Sequence, residues 1–174
     1  MLTRDDCHAL RRTFEPQMAK LLIVAESPPA SGKYFYDPTG VVTEPLFAAL
    51  MRQLKCLQTS KEEGLRAFQA SGWVLVDATY SLVSTLSDRG RDAAIARYYP
   101  LLRDDLATLS PDRSAFVLLL KANVCRLLDE RLTSDGFRVL NRGRMVYFPS
   151  NSRQKDFHRQ FETIVGKCLP RCGN

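Results

Sequence analysis

Three ionisable residues stand where apolar runs stop, and these are the places where the chain can do chemistry. Glu26 follows Leu21-Leu22-Ile23-Val24-Ala25, Asp77 closes Gly72-Trp73-Val74-Leu75-Val76-Asp77, and Lys121 follows Phe116-Val117-Leu118-Leu119-Leu120. A carboxylate in Glu26's position can stabilise a developing cation or orient a water. Pro28 and Pro29 limit the backbone that follows it. The ordinary alternative is a loop carboxylate that accepts from a neighbouring amide. Phe35 offers a flat apolar face to a planar ligand, or simple core packing. Asp77 can accept from N–H groups or cap a helix.

Other constellations are incomplete. Pro29-Ala30-Ser31-Gly32-Lys33 suggests a phosphate-cradling loop, but Ser27 stands where the first Gly is needed and Tyr34 where a magnesium-binding hydroxyl is needed. Cys7 and His8 are adjacent, and the only other histidine is His158, so a cysteine–histidine nucleophile has little support. The closest cysteine pair, Cys168 and Cys172, lacks clustered partners for zinc or iron–sulfur ligation. Cys56 and Cys125 read as small core hydrophobes. Neither a metal nor any other cofactor is expected.

The elements that position these groups alternate. Leu21–Ala25, Gly72–Asp77, Ser114–Leu120 and Phe137–Leu140 read as short strands, the first three apolar enough to be buried on both faces. Glu44-Pro45 opens a helix carrying Leu46, Phe47, Leu50, Met51 and Leu54 at helical spacing. Pro100 reads as a second helix start, and Ala122 to about Leu132 as a third helix. Phe157, Phe161, Ile164, Val165 and Cys168 line one face of a closing helix. Buried strands separated by amphipathic helices call for an α/β fold, a three-layer α/β/α sandwich with a central four-stranded, mostly parallel sheet. Residues 1–174 read as a single domain, with 1–19 as an N-terminal helical extension. In such sheets functional groups lie beyond the carboxyl ends of the strands.

Composition fits a soluble globular domain, with 45% hydrophobic and 25% charged residues among 174. The longest apolar run is far too short for a bilayer, and Arg4, Asp5 and Asp6 do not begin a secretory signal. Five cysteines in that context point to reduced thiols and a cytoplasmic location, on the nucleoid if the source is bacterial. Residues 1–137 hold 17 basic and 17 acidic side chains, whereas residues 138–174 hold 8 basic ones against Asp156 and Glu162. The net charge of +6 therefore sits at one end of the chain. This placement suits a phosphate backbone, or else is a solvated basic helix face. Ser150, Asn151 and Ser152, with Arg153 and Lys155, read as a phosphate contact at a helix start. Asn151 with Gln154 reads equally well as a simple helix cap. Arg142 and Arg144 extend the positive stretch.

The chain resembles the uracil-DNA glycosylase superfamily. Val24-Ala25-Glu26-Ser27-Pro28-Pro29 is similar to the first motif in the Gly-Glu-Ala-Pro-Gly form of its iron–sulfur branch, and Gly32-Lys33-Tyr34-Phe35-Tyr36-Asp37-Pro38-Thr39-Gly40 to the stretch that follows it. Tyr99 to Leu106 and Phe116 to Asn123 resemble a helix and strand of that branch, and Tyr147-Phe148-Pro149-Ser150 occupies the place of the second motif. The likeness spans roughly residues 20–165 in order, with no single motif intact. It implies Glu26 as the catalytic carboxylate, Phe35, Asp77 and Phe148 as base-binding residues, and Arg153 at a DNA-probing loop.

Three departures modify what the resemblance implies. Asp77 replaces an Asn that both donates to and accepts from uracil, whereas an ionised Asp only accepts. Phe148 replaces a histidine that donates to the departing base. The cluster cysteines are missing, so a cluster-free relative is indicated. The resulting expectation is a DNA-binding protein that excises a damaged or non-standard base by N-glycosidic hydrolysis, off the membrane and as a monomer. The alternatives are a non-catalytic nucleotide- or nucleic-acid-binding protein on the same fold, and an adaptor that uses the basic helix to hold other proteins.

Overall fold

The computed structural model describes residues 2–81 and 83–168. In chain order the elements are α1 (Arg4–Arg12), β1 (Leu21–Ala25), α2 (Pro45–Gln53), α3 (Lys61–Ala70), β2 (Trp73–Asp77), α4 (Asp88–Leu109), β3 (Phe116–Leu119), α5 (Ala122–Ser134), β4 (Arg138–Val139) and α6 (Gln154–Val165). The four strands form one sheet in the order β2-β1-β3-β4, every pair parallel. All five residues of β1 and of β2 are buried, which is why these strands are continuous apolar runs.

Side chains alternate across the sheet with the two-residue period of a strand. Leu21, Ile23, Trp73, Leu75 and Leu118 face a core shared with residues of α1, α2, α3 and α6. Leu22, Val24, Val74, Val76, Val117 and Leu119 face a second core built on α4 and α5. The result is a three-layer α/β/α sandwich. The outer edge of β2 is covered at its centre by Tyr36, whose hydroxyl accepts from the Leu75 N–H at 2.7 Å and donates to the Leu75 carbonyl at 3.2 Å. That contact closes an edge otherwise open to strand pairing.

Two of the helices expected from the sequence start elsewhere than expected. α4 starts twelve residues before Pro100, where the Ser87 hydroxyl accepts from the Gly90 N–H, and runs through the proline. Burial of Ile95, Tyr99, Leu102 and Leu106 along one face outweighs the hydrogen bond that Pro100 cannot make. α6 starts at Gln154 rather than on an Asn151 cap. The Gln154 amide donates instead to the Pro149 carbonyl, and Asn151 stands in the preceding turn. α1 is fastened to α4 by Arg11, which donates through both terminal nitrogens to the Asp105 carboxylate at 2.6 Å each and is 3% exposed. Among the described residues no helix is long and apolar enough to cross a membrane. Cys172 lies outside the described residues.

Candidate functional site

The strand order reverses between β1 and β3, because the chain places β2 on one side of β1 and then returns to the other. At such a switch point the segments leaving the two strands diverge and open a crevice at their carboxyl ends. Glu26 leaves β1 there and Lys121 leaves β3. A cavity of about 590 Å³ occupies the position, within the size range of small-ligand sites. Glu26, Phe35, Asp77, Phe148 and Ser150 all line it, together with Lys121.

Glu26 is only 11% exposed at its side chain. It caps no amide. Lys121 Nζ donates to its Oε2, and Asn123 Nδ2 donates to its Oε1 at 2.6 Å. Both donors come from the start of α5, where Lys121 has φ +83°, a strained conformation for a residue with a side chain. The strained turn brings the ammonium and the carboxamide onto one carboxylate. A carboxylate held by two such donors is fixed in orientation and keeps spare lone pairs for a ligand or a water.

Phe35 serves as core and as wall at once. Its ring meets Tyr36 at 5.0 Å, Phe68 at 5.1 Å and Phe47 at 5.6 Å between centroids, in edge-to-face or tilted geometry. The loop that carries it is anchored by Lys61, a fully buried lysine that donates to the Tyr34 carbonyl at 2.8 Å and to Glu44 at 2.7 Å. Phe148 lies at the surface, 38% exposed, and supplies an apolar rim without a donor. Asp77 is 4% exposed and its Oδ2 has no hydrogen-bond partner. It caps no helix, since the next one begins at Asp88 and is capped by Ser87. Burial raises its pKa to about 7, with the charge of Arg11 pulling weakly the other way.

The basic residues expected to touch DNA are divided among different places. Ser150 lines the cavity, and Asn151, Ser152 and Arg153 are exposed in the turn between it and α6. Arg153 bonds Asp156 at 3.1 Å and stacks over Tyr147 at 4.5 Å. Lys155 belongs to a shallow groove with Arg52, His158 and Arg159. Arg142 lines a separate groove beside β4 with Asp129 and Glu130. Arg144 turns back on the Leu140 and Asn141 carbonyls. That turn is set by Asn141, whose buried amide bonds the Leu119 N–H and C=O in place of a strand neighbour. Arg142 and Arg144 therefore do not continue the patch at the cavity mouth.

Asn123, Lys61 and Arg91 carry no signal in the sequence that marks them for a site, and Lys121 stands out there only as the residue ending an apolar run. Arg91 also lines the cavity and clasps the Leu86 carbonyl at 3.1 Å. Lys33 lines the rim, but no helix follows it until Pro45, so Gly32-Lys33 is not a phosphate loop. Cys7 lies on the buried face of α1 with its thiol pushed up to about 11 by burial, and burial lowers the pKa of His8. Neither lines the cavity. Among the described residues no group of three or more His, Cys, Asp or Glu is placed to hold a metal ion. No protein-family model and no curated protein matches the chain.

Proposed function

We propose that this chain is a divergent member of the uracil-DNA glycosylase superfamily that binds DNA and releases a non-standard base by hydrolysing its N-glycosidic bond. One observation carries the reading: Glu26, Phe35, Asp77 and Phe148, up to 122 positions apart in sequence, share one cavity at the switch point of a parallel sheet. An extruded base would lie against Phe35, with its polar edge toward Asp77 and its sugar toward Glu26. The bond from C1′ to the base nitrogen breaks, and positive charge grows on the sugar beside the Glu26 carboxylate. Water adds to C1′ as its proton leaves, and the base departs with the bonding pair and takes up a proton. With Phe148 unable to donate to that base, the cationic groups of the cavity are Lys33, Arg91 and Lys121.

The test is release of free base from oligonucleotides carrying uracil, hypoxanthine, xanthine or alkylated bases. The proposal expects release from at least one, lost in Glu26→Gln. A second reading, a nucleotide- or nucleic-acid-binding protein without catalysis, is favoured by the engagement of Glu26 with Lys121 and Asn123. It expects binding of such oligonucleotides with no release from any.

A further inference from the structure

The carboxyl of Asp77 is placed unlike the other two acids of the cavity. Glu26 is taken by Lys121 and Asn123, and Glu44 by Lys61. Asp77 closes β2 on the same sheet face as Leu75, almost wholly buried, with Oδ2 lacking any partner. It lines the large cavity on one side and a cavity of about 10 Å³ on the other, shared with Arg4, Tyr80, Tyr98 and Asp105.

The groups around it supply no cation at contact. From α1 come Arg4, Cys7, His8 and Arg11, and Arg11 is held by Asp105 of α4 and Glu15. The loop after β1 contributes Tyr34, and the segment after β2 contributes Tyr80, whose hydroxyl is also buried without a partner. Glu26, Glu44, Lys33, Arg91 and Lys121 face the large cavity with it. A buried anion with neither an ion-pair partner nor enough N–H donors is costly, and a carboxyl so placed holds its proton.

Resting on the base-pocket reading above, we infer that Asp77 binds its ligand as a neutral carboxylic acid, reading one donor and one acceptor side by side on the edge of a nucleobase. The neutral group offers O–H and C=O together, as a carboxamide offers N–H and C=O. An N–H beside a carbonyl, as in uracil or hypoxanthine, matches that pair, and so does the amino-and-ring-nitrogen edge of cytosine. The ionised group only accepts and sets a negative oxygen against the base carbonyl. It suits the two adjacent donors of guanine, a base that also carries an N–H beside a carbonyl and is therefore accepted in either state. Protonation of Asp77 is therefore a specificity element, and raising the pH removes it.

The experiment measures the affinity of fluorescent single-stranded DNA carrying one hydrolysis-resistant 2′-fluoro nucleotide, divided by that of the same strand with an abasic analogue. This ratio isolates the pocket from the backbone. Uracil, hypoxanthine, cytosine and guanine are compared from pH 6 to pH 8.5 in the wild-type protein and in Asp77→Asn. With titration near 7, the wild-type ratio for the preferred base falls about 30-fold over that range. The Asp77→Asn ratio stays level, and guanine shows no such fall. A carboxyl-carbon NMR titration of the wild-type protein gives a second readout that needs no variant. A level wild-type ratio, the same fall in Asp77→Asn, or titration of Asp77 below about pH 5 overturns the inference and leaves the cavity a base pocket. If no base is distinguished from the abasic strand by either protein at any pH, the base-pocket reading fails and takes the inference with it.

Discussion

Lys121 Nζ donates to Glu26 Oε2 across the gap between the ends of β3 and β1. This bond ties together the segments that leave the two strands flanking the switch point. It also fixes the carboxylate that the proposed chemistry depends on. If Glu26 stabilises charge on the sugar, Glu26→Gln keeps the size and loses the charge. Base release is expected to fall by about 100-fold or more, with the circular dichroism and melting temperature close to wild type. Equal release in the variant would remove Glu26 from the mechanism.

The division of the basic residues predicts a graded DNA response. Arg153 stands in the exposed turn that follows the cavity-lining Ser150 and Lys155 lies in the first turn of the helix after it, whereas Arg142 lines a separate groove beside β4. Glutamate substitution at Arg153 and Lys155 together is expected to weaken DNA binding and to lower the slope of log affinity against log salt by about 1 to 2. Arg142→Glu is expected to leave the slope unchanged. A reversed order in fluorescence anisotropy titrations would place the DNA on the β4 side.

The Arg11–Asp105 pair is bidentate, and its members are 3% and 10% exposed at their side chains. Removing Arg11 strands the Asp105 carboxylate in a nearly dry site, whereas removing the Asp105 charge leaves Arg11 its bond to Glu15 at 2.8 Å. Arg11→Met is expected to cost about 3 to 5 kcal/mol in urea unfolding and Asp105→Asn less. The double variant is expected to cost less than the two single losses combined.

Pro100 lies inside α4 without an N–H for the carbonyl four residues back. Pro100→Ala restores that bond in an exposed turn, and about 1 to 3 kcal/mol of added stability is expected. A loss instead would mean that the proline ring packs usefully where it lies.

How much of this was legible depends on what each residue reports. The reading of β1 as Leu21–Ala25 matches to the residue, because burial on both faces leaves no polar position to blur its ends. α3 has no counterpart among the helices expected from the sequence. Two of its four buried positions are Lys61 and Gly64, so its inward face lacks an apolar stripe. Gly64 is there because a Cβ would come within 2.5 Å of the Phe47 ring, and Lys61 because Glu44 and the Tyr34 carbonyl need a donor. Both are tertiary reasons, invisible to periodicity. The helix start assigned to Pro100 failed similarly: local backbone preference pointed one way and the buried face of α4 another. At the site, Glu26 and Asp77 could be found as polar residues ending apolar runs. The Lys121 turn could not, since nothing in its residue type foretells a positive φ.

Asp77 also ties stability to pH. In the unfolded chain it titrates near the ordinary 3.8, and in the fold burial raises this to about 7. Between those values the folded protein holds a proton that the unfolded chain releases, so stability falls as pH rises. The contribution is intact below about pH 4 and fully lost above about pH 7. The whole span is on the order of 4 kcal/mol. Asp77→Asn has no proton to lose and serves as the reference. Its advantage over wild type in urea unfolding is expected to widen by about 3 kcal/mol from pH 5 to pH 8 and then to level off. Both proteins carry the same remaining ionisable groups, so the difference isolates this one carboxyl. A gap that stays constant over that range would mean that Asp77 is ionised in the fold throughout and draws a donor or cation to its Oδ2.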